Sequence, residues 1–286
     1  MPSMTHAPYP IIQRAQVVFV AVFALLWTAC DSTTPSPGDE TGSPLTLSFV
    51  TTPAGNAAGT SAKAAKSRTY TDEGGNAIMV ETAEIILREI EFERADADEA
   101  CRNDDDGEGE RDDDDCEELE EGPVLVELPL DNDQPAVVLE TRLPEGLWKE
   151  VEFEVHKLER EDDEDAAFLD ETGFPEGVSI RVTGTWTPAG GDAQSFTFIS
   201  DLNEEQEIEF ASPIEVTADS PKNVTFRVNV DRWFRQSNGT LVNPAEGNDG
   251  GQYEDLIEEN IEDSIEGFED DDRDGDDDED DDDDDD

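Results

Sequence analysis

The chain has 286 residues, enough for one or two domains with a real core. It carries 77 acidic against 18 basic side chains, a formal net charge of −59, and only 35% of its residues are apolar. That balance excludes a nucleic-acid partner, which needs a basic surface, and it opposes binding to an anionic lipid face.

The chain opens MPSMTHAPYPIIQR and continues into an uncharged apolar run over residues 15–27. A basic lead, a short apolar core and small residues before a cut describe an export signal. The run is too short to predict a membrane span. Trp27-Thr28-Ala29-Cys30 resembles the bacterial lipobox, in which the chain is cut before a cysteine that carries lipid. Trp27 stands where the pattern prefers Leu, and Leu26 lies one place back. The resemblance implies lipidation at Cys30; the alternative is an ordinary cleaved signal with Cys30 incidental. Residues 31–44, DSTTPSPGDETGSP, read as a polar tether that spans roughly 20 Å as a flexible coil. The expected location is the cell envelope, with the membrane reached through lipid.

Strand signals follow. Leu45–Thr51 and Glu81–Arg94 alternate with period two, with Ile86, Ile90 and Phe92 in one phase. Between that second strand and the next lies Cys101–Cys116, CRNDDDGEGERDDDDC. An exported compartment is oxidising, so Cys101 and Cys116 are expected to pair. The bridge would contribute about 3 kcal/mol in the chain-entropy model. Two free thiols in an acidic loop are the alternative. Asp104, Asp106, Glu108 and Gly109 fall at positions 1, 3, 5 and 6 of a calcium loop, with Asp112 and Asp115 at positions 9 and 12.

Further strands are expected around Val124–Leu128, Val137–Arg142 and Leu147–Leu158. In the last, Glu150, Glu152, Glu154 and His156 share the face opposite Val151, Phe153 and Val155, so His156 reads as a solvated surface residue. His6 leaves with the signal, and a single histidine cannot build a His-rich zinc site. Residues 159–176 read either as a linker between two half-domains or as a loop within one. Strands resume at Val178–Trp186, Phe196–Phe198, Ile208–Phe210, Ile214–Val216 and Val224–Val230, with Pro- and Gly-containing turns between them.

About ten short strands predict an all-β fold, an antiparallel β-sandwich. Residues 123–158, PVLVELPLDNDQPAVVLETRLPEGLWKEVEFEVHKL, resemble a domain of unknown function found in bacterial lipoproteins. Leu143-Pro144-Glu145-Gly146 and Trp148 occupy that family's characteristic turn. The resemblance implies an immunoglobulin- or prealbumin-like sandwich and supplies no catalytic residues.

Tyr253, Ile257, Ile261, Ile265 and Phe268 recur at helical spacing and predict a short C-terminal helix. The tail beyond it is expected to be disordered. Yet Asp270, Asp272, Asp274 and Gly275 match D-x-D-x-D-G, with Asp281 at position 12 in place of the usual Glu. Any pattern of Asp is easily met in such a run, so a solvated charge run is the competing reading.

The segments expected are thus a signal over 1–29, Cys30 and tether over 30–44, a β body over 45–235, a loop and helix over 236–269, and an acidic tail over 270–286. The acidic runs 102–115 and 270–286 carry −7 and −14 and leave −38 elsewhere. Abundant Asp and Glu with scarce Lys resemble the composition of salt-loving microbes. No nucleophile elbow, phosphate loop or dinucleotide fingerprint is present, so a non-enzyme is expected. The function reading is a non-catalytic, lipid-anchored envelope protein, with a calcium-responsive binding or adhesion module as the alternative. A carbohydrate binder using Trp148, Trp186, Trp233 and Phe234 is the second alternative. Calcium is the one cofactor suggested, and divalent cations are candidate partners beside an unidentified protein or glycan.

Overall fold

The computed structural model describes residues 42–52, 67–95, 122–130, 134–218 and 220–277. The strands are β1 (Ser43–Thr51), β2 (Arg68–Thr71), β3 (Ala77–Arg94), β4 (Val124–Glu127), β5 (Ala136–Leu143), β6 (Gly146–Val155), β7 (Ile180–Thr187), β8 (Gln194–Ser200), β9 (Glu204–Val216), β10 (Lys222–Val228) and β11 (Ile265–Glu269). Among the described residues, three α-helices join them: α1 (Asp163–Thr172), α2 (Val230–Trp233) and α3 (Glu254–Glu262).

The strands form two sheets. The larger has the order β8-β7-β3-β6-β9, with β2 and β4 also paired to β3. The smaller has the order β11-β10-β1-β5. Both turn their apolar faces to one core, where Phe153 of β6 meets Phe226 of β10 with ring centroids 5.3 Å apart. Phe226 also packs on Phe49 of β1 at 5.0 Å. Ring pairs of this kind contribute beyond the area they bury. The fold is therefore β-sandwich-like and mostly β, as the alternating segments predict.

The antiparallel expectation needs one correction. β1 and β10 run parallel, from Leu45 opposite Lys222 to Thr51 opposite Val228. A parallel pair requires a long crossover, and β2 to β9 all intervene between these two strands. Period-two alternation is blind to strand direction.

β3 carries a bulge that changes its phase. The β6 register shifts between Arg88 and Glu91, and Glu89 has φ 50°. One extra residue flips the side chains that follow. Ile90 and Phe92 thus face the main core, whereas Ile86 lies on the opposite face. The single phase expected for Ile86, Ile90 and Phe92 does not hold.

Ile86 is instead covered by helix α1, with Leu158, Leu169, Phe174 and Val178. Residues 159–176 are therefore neither a bare linker nor a plain loop. Asp162 caps the helix by accepting from the amides of Glu164 and Asp165 at 2.8 and 3.3 Å. Gly173 ends it with φ 69° and donates its amide to Leu169 O. Beside the helix, Arg181 grips Glu84 with two bonds of 2.6 and 2.7 Å and lies 4.8 Å from the Phe174 ring.

The C-terminal helix is shorter than the spacing predicts. It ends at Glu262, and Ile265 and Phe268 belong to β11. Ser264 donates to Ile261 O at 2.6 Å and accepts from Trp233 Nε1 at 2.7 Å. That buried junction turns the chain so that Ile265 pairs with Val228. Apolar residues at helical spacing continue into the strand only because both elements face the same core.

Candidate functional site: an acidic loop seated on the smaller sheet

β1 is buried on both faces. Leu45, Leu47 and Phe49 fill the core, while Thr46 and Ser48 point to the other side and are buried too. What covers them begins the acidic tail. Thr46 Oγ1 and Ser48 Oγ donate to Asn223 Oδ1 at 2.7 and 2.8 Å. Asn223 Nδ2 donates to Asp270 O at 2.8 Å and to Thr225 Oγ1 at 2.9 Å. Thr225 Oγ1 in turn donates to Asp270 Oδ2 at 2.7 Å.

Asp270 is fully buried. Burying a carboxylate is costly unless it is well bonded. Besides Thr225, it accepts from the amide of Asp274 at 3.0 Å and of Gly275 at 3.2 Å. Burial still holds its carboxyl above the ordinary range, against the lowering effect of those bonds. Asp272 Oδ1 accepts from the Asp274 amide at 3.2 Å, and Asp274 Oδ1 from the Asp276 amide at 2.9 Å. The chain turns sharply at Arg273 and Gly275, with φ 61° and 91°.

The disordered tail expected from residue 270 is thus corrected for 270–277, which are anchored to the sheet. Arg273 Nη2 donates to Thr46 Oγ1 at 3.0 Å, and Arg227 Nη2 to Gly275 O at 2.7 Å. Lys222 bridges Glu269 and Asp271.

Of the sequence-predicted metal residues, Asp270, Asp272 and Asp274 are brought together. Each offers a carboxylate oxygen within 4.8 Å of the others. The amides bonded to Asp270 are those of positions 5 and 6 of the motif, so position 1 organises the turn that gathers positions 3 and 5. Such an arrangement suits a hard cation with oxygen ligands. Asp281 lies outside the described residues, as do Asp104, Asp106, Glu108, Asp112, Asp115, Cys30, Cys101 and Cys116.

The four aromatic residues considered for a sugar platform are core. Trp148, Trp186, Trp233 and Phe234 are 3%, 8%, 0% and 1% exposed. None offers a free ring face for a sugar to stack on, which corrects the carbohydrate reading as built on them.

Two further features escaped the sequence. His156 is half-buried and lines a cleft of about 600 Å³ with Arg88, Lys157, Glu159, Asp165 and Asn203. Its Nδ1 lies 3.2 Å from Glu154, and Arg88 lies 3.5 Å from the buried Asp165. The bulge in β3 and helix α1 create this cleft, and neither was read from the sequence. The second feature is a block of glutamates on the outer face of β3, β6 and β9. Glu152 faces Glu91 on one side and Glu207 on the other. Glu150 faces Glu93 and Glu209. Alternation finds the face on β6, as the sequence reading above does, but not its register against two other acidic strands.

No family model matches the chain, and no curated protein does. Among solved structures, it is similar to MbnP from Methylosinus trichosporium, at 11% identity and a TM-score of 0.35. That similarity covers 68% of this chain and 78% of that one.

Proposed function

We propose that the protein is an exported, lipid-anchored, non-catalytic module of the cell envelope, adapted to concentrated salt. The observation that carries this reading is the sequence of the first 44 residues: an apolar run, Trp27-Thr28-Ala29-Cys30, and a polar tether before the first strand. The strongly acidic body agrees with it, since surface carboxylates repel one another least where salt screens them. Anchoring is tested by detergent phase partitioning of the full-length protein. The wild type partitions into the detergent phase, and Cys30→Ser moves to the aqueous phase. Equal partitioning of both would refute the lipid anchor. On the same reading, Cys101 and Cys116 form a disulfide outside the anchor.

A second reading is favoured by the Asp270–Gly275 loop: a calcium-responsive module in which a cation fixes the tail on the smaller sheet. We expect its affinity to lie in the extracellular range, about 10⁻⁴–10⁻³ M. Calcium at a few millimolar, at fixed high ionic strength, is then expected to raise the melting temperature where magnesium does not. The pair Asp272→Asn and Asp274→Asn removes that rise. An equal rise with both cations would leave the loop a structural anchor without a calcium-specific site.

A further inference from the structure

The outer face of β3, β6 and β9 places like charges directly opposite one another. Across β6 and β9 the pairs are Glu150 with Glu209, Glu152 with Glu207, and Glu154 with Glu205. Across β3 and β6 they are Glu93 with Glu150 and Glu91 with Glu152, and only Glu154 faces a base, Arg88. Like charges directly opposite across a ladder destabilise the pairing. The crowding is close: carboxylate oxygens of Glu150, Glu207 and Glu209 lie within 4.8 Å of one another.

Few bases stand among them; Lys149 does, and its charge meets Glu93, Glu150 and Glu209 alike. Lys149 reaches Glu93 at 2.7 Å, and Arg88 is shared between Glu89 and Asp165 of helix α1. At the start of β9, Glu204 meets the field of Glu262 from helix α3. Among the described residues, no base forms an ion pair with Glu152, Glu205, Glu207 or Glu209. β9 is also an edge strand: among the described strands it pairs with β6 alone. Its inward residues Gln206, Ile208 and Phe210 are only partly buried.

We propose that the first half of β9, Glu204–Phe210, is a charge-gated closure: it stays paired to β6 when the facing glutamates are screened or protonated, and it loosens when they are ionised in dilute salt. The carboxyls respond in the required sense. A hydrogen bond with Glu205, then burial and the charges of Glu205, Glu91 and Glu150, push Glu152 up to about 7. Burial, then a bond with Glu93 and the charges of Glu207 and Glu93, push Glu150 up to about 6. A carboxyl raised in the folded state stabilises that state at low pH and loses the contribution as pH rises through its folded value. The window is therefore roughly pH 4.5 to 7. Salt acts in the same sense, since the screening length falls from about 10 Å at 0.1 M to about 3 Å at 1 M.

The test is amide hydrogen exchange on the full-length protein, corrected for intrinsic rates, at about pH 5.5 and about pH 8, in low salt and in molar salt. Amides of Glu204–Phe210 should exchange at least about tenfold faster at high pH in low salt than in the other three conditions, while β7 and β8 change little. Glu152→Gln with Glu207→Gln should remove that acceleration. Asp192→Asn, which removes a charge from the exposed turn between β7 and β8, should not. Uniform protection of β9 in all four conditions would overturn the proposal. So would an equal effect of Asp192→Asn, which would assign the response to net charge alone.

Discussion

Asp270 is where the acidic tail stops being a solvated run and becomes part of the fold. Its carboxylate organises two amides and one hydroxyl, and its carbonyl accepts from Asn223. Asp270→Ala would leave the Thr225 hydroxyl and the Gly275 amide short of partners, and the Asp274 amide with Asp272 alone. Each unsatisfied buried group costs about 1–3 kcal/mol, so a loss of about 2–4 kcal/mol is expected in a denaturant melt. Thr225→Val removes one of these bonds and should cost about 1 kcal/mol. The D-x-D-x-D-G pattern was legible in the sequence, because Gly275 and the alternating Asp are written there. The seat beneath it was not. Thr46, Ser48 and Asn223 are ordinary polar residues of strands, and only the parallel pairing of β1 with β10 brings them under the loop.

The strands themselves were largely legible, because each alternates clearly enough to declare its buried face. β2, Arg68–Thr71, is not legible because it has a single buried residue, Tyr70, and β11 is not because Ile265 and Phe268 continue the helical spacing of the residues before them. Helix α1 was missed for a different reason. Its buried surface is small, and a single turn of apolar residues among acids, DEDAAFLDET, looks like a polar loop. Its caps were nevertheless in view, Asp162 before it and Gly173 after it. Gly173→Ala would place a side chain at φ 69° and should cost about 1 kcal/mol, read as a lower denaturation midpoint. Gly184 of β7 tests the packing of β3 on β7. A methyl group there would sit 2.0 Å from Met79 O, so Gly184→Ala should cost about 1–3 kcal/mol and loosen that ladder. Unchanged stability would show that the two strands are further apart than described.

At the scale of the whole molecule, charge and address act together. A net charge of −59 sets a repulsion that the fold bears in particular places: a tail bound to a sheet, an outer face of facing glutamates, and bases drawn into ion pairs. Stability should therefore rise with ionic strength, and a thermal melt that falls on adding molar sodium chloride would contradict the salt-adapted reading. The composition made that much legible, whereas the places where repulsion concentrates depend on strand register, which no composition encodes. On the proposed reading, the first 44 residues hold the body at the envelope. The most direct measurement is the mass of the N-terminal peptide of the protein recovered from the membranes of a bacterial host. The account predicts a peptide that begins at Cys30 and carries a diacylglyceryl group. A peptide that begins at any other residue, or an unmodified Cys30, would contradict it.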